Sequence, residues 1–435
     1  MSRVLPPDHP QRRPMTLELH ARPFPPLAAP CLAVQLAFAP EAGAQRGAEA
    51  DHAHLQALID HFGGPRPAED AQHHFAPLGR GRLKWERHTE FVSYTFFLDD
   101  SEPEPFALPI ERLAPAEWLA AAPGPLLSAV RVHVARAEGR GGAEATLRER
   151  YARFFVAESL AAAHVGPDQA TAMGDFRIHE DGFTRFAVLA WPETGERRLG
   201  RIVQRLIEIE NYRMLSMLAL PAARGLSPRL TGVEGELGGL IAGIAEARRD
   251  DQATLAELTA LSATLEKLQA DAAFRFAASG AYAALVDQRI EVLKEARAAD
   301  RQLLSEFMAR RFKPAMRTVA ATERRLETLA ERASRAARLL SARVDVAVEN
   351  QNRALLESMN RRAEAQLRLQ RTVEGLSVVA ISYYAVGLVG YVAKPIGAAL
   401  GVAESVLLAA VAPAVAALVW IALRRLRRRL DREAS

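Results

Sequence analysis

Two uncharged apolar stretches near the C-terminus decide the architecture of this chain: GLSVVAISYYAVGLVGYVA at 375–393 and SVLLAAVAPAVAALVWIAL at 405–423. Each has 19 residues, and a helix of that length reaches roughly 28 Å, about the thickness of a bilayer's hydrocarbon core. Because lipid tolerates only backbone that satisfies its own hydrogen bonds, both stretches are expected to be helical. They predict a transmembrane hairpin over 373–423; the alternative is a buried helical hairpin in a soluble protein.

The arginines around these stretches predict the topology. Basic residues stay on the cytoplasmic side of a bacterial membrane, and the connection between the stretches carries only one, Lys394. The start of the chain lacks the apolar segment of a signal peptide, and its one cysteine, Cys31, cannot form an intramolecular disulfide. We therefore expect both termini in the cytoplasm, with 424–435 as a basic tail. The topology-anchoring residues are Arg368, Arg371, Arg424, Arg425, Arg427, Arg428 and Arg429.

Small and hydroxyl-bearing residues mark the first apolar stretch. Small residues allow close approach of transmembrane helices, so helix packing is one interpretation of this pattern. A polar lining of a pore is the other. The candidate residues for either role are Ser377, Tyr384, Gly387, Gly390 and Tyr391.

The middle of the chain, 231–372, predicts a helical coiled-coil stalk. Apolar residues recur there every three or four positions, and from Val319 a seven-residue repeat runs through Leu326, Ala333 and Leu340. Pro314 is expected to precede the last helix and Gly280 to interrupt an earlier one. An alanine-rich seam buries little area per residue, so it needs partner helices. We expect a homo-oligomer; a folded-back bundle within one chain is the alternative.

The first 230 residues predict a cytoplasmic α/β domain. Strand-like runs include CLAVQLAF at 31–38 and HTEFVSYTFFL at 88–98. DFRIHEDGFTRFAVLAW at 175–191 predicts a hairpin that turns at Asp181–Gly182. Helical patterns lie between these runs: one ends at Gly63, and one is expected to stop at Pro221.

Few residues in this domain form a recognisable chemical site. In WERHTEF at 85–91, alternation along a strand would place Glu86, His88 and Glu90 on one face, as a cross-strand ion-pair network or an acid–base group. His52, His54 and His61 fall in one predicted helix, but no HExxH or CxxC pattern accompanies them. Phosphate-loop and nucleophile-elbow motifs are missing. We expect no cofactor, no resident metal and no enzymatic activity.

The charge composition does not favour a nucleic-acid partner. All but five of the 56 basic residues are arginine, and the formal net charge is only +4. Arginine and alanine are both favoured by GC-rich coding, so scattered arginines are weak evidence for nucleic acid. The expected partners are the lipid bilayer and other copies of the chain.

Four segments resemble a bacterial family usually described as uncharacterised membrane-anchored proteins. They are ELHARPFPPL at 18–27, WERHTEF at 85–91, RIVQRLIEIENYRMLSMLALP at 201–221 and QRTVEGLSVVAISYYAVGLVGY at 370–391. The resemblance spans nearly the whole chain and implies anchoring in the bacterial inner membrane. It supplies no catalytic residues.

A weaker, architectural resemblance is to CorA-type magnesium channels. These also combine a cytoplasmic α/β domain, a helical stalk, two C-terminal transmembrane helices and a basic tail, which would imply a pentamer and a divalent cation. Gly390 would match the first residue of their Gly-Met-Asn pore motif, but Tyr391 and Val392 replace the other two. The polar asparagine of the cation filter is therefore missing.

Three functional hypotheses follow. The first is an inner-membrane-anchored, oligomeric scaffold or sensor whose α/β domain is the functional part. The second is a CorA-like cation conduit with a non-standard pore mouth. The third is an enzyme acting near the membrane, motivated only by the histidine and glutamate groups.

Overall fold

A computed structural model describes residues 8–13, 15–16, 24–40, 47–99, 104–167, 169–246, 250–400 and 403–433. The chain divides into two compact units, Met1–Ala337 and Arg338–Ser435. The first contains a mixed sheet with helices on both faces; the second is helical. The α/β class predicted for the N-terminal region is therefore confirmed.

A nine-stranded sheet forms the first unit. Its strands are β1 (Cys31–Phe38), β2 (His73–Leu78), β3 (Gly81–Arg87), β4 (Val92–Leu98), β5 (Leu126–Arg136), β6 (Ala161–Val165), β7 (Ala170–Ile178), β8 (Thr184–Ala190) and β9 (Ala296–Arg297). Their order across the sheet is β2-β3-β4-β1-β5-β8-β7-β6-β9. Among these strands, β5 and β8 pair in parallel and the other neighbours are antiparallel.

Helices cover both faces of the sheet, because successive side chains of a strand point to opposite faces. On one face, Leu32 and Val34 of β1 join a core with α1 (Ala48–Phe62) and α2 (Ala116–Ala120). On the other face, Cys31 and Ala33 pack in the core that contains α4 (Glu196–Met217). The shorter α3 (Gly139–Thr146) contributes to a third cluster. The predicted end of α1 at Gly63 is confirmed, with Gly63 at φ 75°.

The chain continues after α4 as further helices, most of them long. They are α5 (Ala219–Ala245), α6 (Asp251–Leu293), α7 (Leu304–Phe307) and α8 (Lys313–Leu400), with a π-helical turn at Met308–Phe312. The interruption predicted at Gly280 is wrong, since α6 continues through it; one exposed glycine costs a long helix only about 1 kcal/mol. Helix α4 ends at Met217, and Pro221 lies in the first turn of α5, where a missing N–H costs little.

The heptad positions at the start of α8 are buried inside this chain. Val319, Leu326 and Ala333 are at most 4% exposed. Arg325 of α8 pairs with Glu234 of α5 at 2.6 Å, and the Ser279 hydroxyl of α6 lies 3.6 Å from the sulfur of Met316. This part of the repeat thus belongs to a folded-back bundle. Further along, Ala347 and Ala354 are exposed, and a coiled coil there between copies stays a prediction.

The second unit comprises the rest of α8 and helix α9 (Glu404–Glu433). Each contains an apolar window of mean hydropathy 1.7 or 1.6 with none of it buried, so by length and composition both could cross a membrane. Helix α8 continues through much of the predicted outer loop to Leu400, since the alanines at its end favour helix. The predicted segment limits at 230/231, 372/373 and 423/424 all fall inside helices.

Candidate functional sites: a polar cavity and an apolar hairpin

A polar cavity of about 250 Å³ lies between the sheet and helix α4. Strands β1, β3 and β4 contribute its floor, and α4 and α6 contribute its roof. Its lining combines charged, amide, hydroxyl and aromatic side chains: Phe24, Gln35, Lys84, Glu86, His88, Phe91, Ser93, Thr95, Phe97, Gln204, Ile207, Glu208, Asn211, Tyr212 and Arg289. This lining offers both hydrogen-bond donors and acceptors to a small polar molecule.

Lys84 is the central charged group of this cavity. It is 4% exposed, and its ammonium lies 3.0 Å from Glu86 Oε1 and donates to Gln204 Oε1 at 3.2 Å. A buried charge is tolerated only when it is paired and hydrogen-bonded. Gln204 in turn donates to Glu208 at 2.7 Å, and Glu208 also accepts from Arg289 of α6. The network therefore holds two cations and two carboxylates.

Gln35 supplies an unused hydrogen-bonding group beside this network. The residue is 2% exposed, and its carbonyl oxygen accepts no hydrogen bond from the part of the chain that the structure describes. Leaving a buried acceptor unpaired costs about 1–3 kcal/mol. A donor group of a bound molecule, or of water, would remove that cost.

The predicted group of Glu86, His88 and Glu90 is only partly brought together. The single strand expected over 85–91 is wrong, because β3 ends at Arg87 and the His88 amide donates back to Phe91 O at 2.8 Å, which closes a turn. Glu86 and His88 line the cavity, and the His88 ring stacks on Phe91.

Glu90 does not belong to the cavity lining. It pairs instead with Arg275 of α6 at 2.8 Å. Burial, and the Glu90 carboxylate nearby, raise the pKa of Tyr282. Glu90 thus connects the β3–β4 turn to helix α6.

The polar floor of the cavity was not predicted from the sequence. In GRLKWER the buried Leu83 and Trp85 alternate with Lys84 and Glu86, and in VSYTFFL, Ser93 and Thr95 alternate with Val92 and Tyr94. This alternation was the available indication of a polar face. Which helix would cover it could not be inferred, since Gln204 lies 120 residues after Lys84.

The predicted helix with three histidines is a packing element. His54 is buried; its ring nitrogens lie 2.8 Å from the Tyr94 hydroxyl and 3.0 Å from Trp118 O, and the ring stacks on Trp118. Within the described residues, no group of three or more His, Cys, Asp or Glu side chains could hold a metal ion.

In the hairpin, Gly390 lies at the contact between the two helices. A Cβ placed on Gly390 would be 3.8 Å from both methyl carbons of Leu408. Gly387 has nothing within 4 Å of the same position, and the Ser377 hydroxyl donates to Val373 O within its own helix. Tyr384 and Tyr391 are 71% and 82% exposed. Of the two candidate glycines, Gly390 is therefore the one that lies against the second helix.

The arginines that flank the hairpin lie at the surface. Arg368, Arg371, Arg424 and Arg425 are exposed, and the Arg424 guanidinium lies 4.8 Å from the centroid of the Trp420 ring. Trp and Arg side by side are typical of a membrane–water interface. The side chains of Arg427, Arg428 and Arg429 fall outside the described part of the chain, as do residues 18–23 of ELHARPFPPL.

Comparison with known proteins places the chain in a family. A family model described as "Protein of unknown function (DUF3422)" matches residues 7–430. Neither the curated proteins nor the solved structures include a significant match. The family match agrees with the uncharacterised family predicted from ELHARPFPPL and the other segments. Because it covers nearly the whole sequence, this chain belongs to the DUF3422 family of proteins of unknown function.

Proposed function

We propose that this protein is a sensor anchored in the bacterial inner membrane, with a cytoplasmic sheet domain that binds a small polar molecule. The helical hairpin would hold it in the bilayer, and exposed parts of α8 would join copies into an oligomer. In this proposal the sheet domain binds and does not catalyse.

The observation that carries the anchoring is the exposure of large apolar side chains in both hairpin helices. Leu376, Leu388 and Leu418 are 72%, 69% and 68% exposed. Burying a leucine side chain is worth about 1.5–3 kcal/mol, so such a surface is unfavourable in water and favourable in lipid.

The polar cavity favours a sensor over a passive scaffold. Lys84 and Glu86 offer opposite charges, and Gln35 offers an unpaired acceptor. These groups suit a ligand that has both hydrogen-bond donors and acceptors, such as a free amino acid or a small polyol.

Anchoring and topology are tested by cysteine labelling of intact spheroplasts. The chain has one cysteine, and Cys31 is buried; Cys31→Ser therefore gives a background without thiols. Ala403→Cys in that background should react with a membrane-impermeant maleimide from outside, whereas Ser435→Cys should react only after lysis. Labelling of Ser435→Cys in intact spheroplasts would contradict the proposed topology.

Ligand binding is tested by thermal unfolding of the detergent-solubilised protein with free amino acids and polyols as probes. We expect at least one probe to stabilise the wild type and the control Lys267→Met, whose lysine is exposed on α6. Lys84→Met and Gln35→Leu should lose that stabilisation. If every probe that stabilises the wild type stabilises both cavity variants equally, the cavity is not the sensor site.

A cation conduit is the second candidate, and exposed Tyr384 and Tyr391 are the observation that favours it. In an oligomer these hydroxyl-bearing side chains could face either lipid or a shared axis. Stoichiometry in detergent and Mg²⁺ flux in proteoliposomes distinguish the two functions. A sensor predicts no flux, whereas a pentamer with Tyr384-dependent flux would favour the conduit.

A further inference from the structure

A second cavity, of about 330 Å³, lies elsewhere in the sheet domain and is rich in arginine. It lies where strand β7, helix α4 and the π-helical turn Met308–Phe312 meet. The side chains that matter in its lining are Arg177, Arg213 and Arg311, together with Phe176, Phe307 and Phe312. Three guanidinium groups thus surround a space with aromatic walls.

The backbone departs from regular geometry on two sides of this cavity. The pairing of β7 with β8 shifts register between Gly174 and Ile178, and Phe176 within that bulge has φ 55°. A bulky residue with positive φ is a costly conformation that is often found at functional sites. Arg311 comes from a π-helical turn, another irregularity enriched at such sites. The chain therefore adopts two unusual conformations around one cavity.

The carboxylate of Asp175, within the bulge, accepts hydrogen bonds from the chain itself. Asp175 is completely buried and accepts hydrogen bonds from the backbone amides of Val156 and Arg177 at 2.9 and 3.1 Å. His179 Nε2 also lies 3.1 Å from its Oδ2. Asp175 consequently holds the bulge in place and forms no side-chain ion pair with an arginine of the cavity within the described residues.

Each of the three arginines keeps N–H groups that could bind a ligand. Arg213 uses two nitrogens on Glu210, at 2.9 and 2.6 Å, and Arg177 uses its Nε on the Ser159 hydroxyl at 2.8 Å. Arg311 is exposed, and the described residues include no hydrogen-bond or ion-pair partner for it. A guanidinium has five N–H donors. The site thus has three positive guanidinium groups and two carboxylates, those of Glu210 and Asp175. Positive charge is therefore in excess.

We propose that this cavity binds the phosphate group of a phosphate monoester. Guanidinium groups bind phosphate through paired, charge-assisted hydrogen bonds, and a phosphate offers three terminal oxygens to three arginines, where a carboxylate offers two. The walls formed by Phe176, Phe307 and Phe312 accommodate an apolar or aromatic substituent on that phosphate. The phosphate belongs to a small soluble molecule or to a lipid headgroup, since the chemistry recognised is the same.

The test compares Arg311→Ala with Arg310→Ala in the full-length protein. Arg310 is the matched control, because it is the adjacent exposed arginine, bonds to Gln302 and does not line the cavity. Binding of inorganic phosphate, phenyl phosphate and benzoate is measured by calorimetry in a neutral detergent. A parallel arm compares thermal unfolding in nanodiscs of phosphatidylcholine alone and with phosphatidic acid.

We expect phenyl phosphate to bind more tightly than inorganic phosphate or benzoate, and Arg311→Ala to weaken that binding about tenfold. Arg177→Lys, which keeps the charge and removes the paired donors, should also weaken it. Stabilisation only by phosphatidic acid, lost in Arg311→Ala, would support the same site with a lipid as the source. Equal behaviour of Arg310→Ala and Arg311→Ala would overturn the proposal. So would the absence of binding by both soluble phosphates together with no stabilisation by phosphatidic acid.

Discussion

Apolar side chains are buried in the sheet domain and exposed in the hairpin helices. In the sheet domain, Leu83 and Trp85 are at most 1% exposed, whereas Leu376 and Leu388 of the hairpin are about 70% exposed. The sheet domain builds its core from its own strands and helices. The hairpin has too few partners within this chain to do so. Apolar composition therefore does not identify a core by itself; the packing partners that the chain supplies also matter.

Removing the hairpin gives the sharpest test of this difference. A fragment ending at Asn350 keeps the sheet, α6 and the buried start of α8, and lacks every residue of the two apolar windows. We expect this fragment to remain in solution without detergent, while the full chain sediments with membranes and resists carbonate extraction. Ultracentrifugation of both forms measures the outcome. If the fragment needed detergent to stay in solution, or if the full chain stayed in solution without it, the two regions would not differ as described.

Truncating a core side chain should be the next largest effect. Trp85 of β3 is fully buried in the core that includes α1, and deleting a buried aromatic side chain typically costs about 3–5 kcal/mol. Urea unfolding of Trp85→Ala, followed by circular dichroism, should show a loss of that size. Leu376→Ala in the full chain is the control and should leave unfolding of the sheet domain unchanged, because Leu376 is exposed.

Acidification should destabilise the sheet domain through His133. Burial, with the Arg150 charge nearby, lowers the pKa of His133 to about 4 from its ordinary 6.5. The unfolded chain then binds a proton between pH 6.5 and 4 that the folded chain does not, so stability is complete above pH 6.5 and falls as the pH decreases to 4. The loss amounts to about 3 kcal/mol.

His133→Asn provides the check on that pH dependence. The Tyr151 hydroxyl lies 2.8 Å from His133 Nδ1, and an asparagine oxygen can accept a hydrogen bond at a similar place. Urea unfolding from pH 7 to 4 should show a flatter stability curve for His133→Asn than for the wild type. Parallel curves would mean that other groups cause the acid sensitivity.

A smaller change in stability is expected at Gln35, whose buried side-chain oxygen accepts no hydrogen bond from the described residues. Gln35→Leu removes a buried acceptor without a described partner, so we expect the ligand-free domain to gain about 1 kcal/mol. The change is measured by urea unfolding of the truncated fragment. Thr95→Val is the comparison, since it alters the same cavity floor without removing an unpaired acceptor amide. A clear destabilisation by Gln35→Leu would indicate that the acceptor is satisfied by bound water.

The smallest effect should come from the exposed part of α8. Arg353 pairs with Glu349 at 2.7 Å, and both side chains are more than 60% exposed. Such pairs contribute less than about 0.5 kcal/mol, so Arg353→Ala should leave thermal unfolding and helicity unchanged at physiological salt. A large loss would mean that this surface is covered, for example by another copy of the chain.

Much of the fold follows from local patterns. The β7–β8 hairpin and the end of α1 at Gly63 depend on residues close in sequence, and both are found in the structure. The connection between β7 and β8 is longer than the two-residue turn expected at Asp181–Gly182, since the His179 amide donates to Phe183 O across it. The register shift before Ile178 and the continuity of α6 through Gly280 were not predicted. Both depend on tertiary packing, which local propensity does not contain.

The candidate site was much harder to predict. Glu86 and His88 were identified for their residue types, but the cavity is defined by Gln35, Lys84 and Gln204, which come from β1, β3 and α4. Strand order sets their proximity: β4 lies between β3 and β1. The spacing of residues along one strand does not predict which strands are neighbours in the sheet. The arginine cavity likewise joins residues from β7, α4 and the turn before α8.

The two borders of the sheet bear on how copies of this protein could meet. A sheet whose outermost strands are long and regular can recruit a neighbouring molecule through its unpaired main-chain groups. Here the outermost strands are β2, which includes Pro77 and so lacks one amide donor, and β9, which has only two residues. Both borders are thus poor templates for strand addition. This architecture disfavours amyloid-like stacking. In the proposed oligomer, contacts between copies would therefore involve helical surfaces.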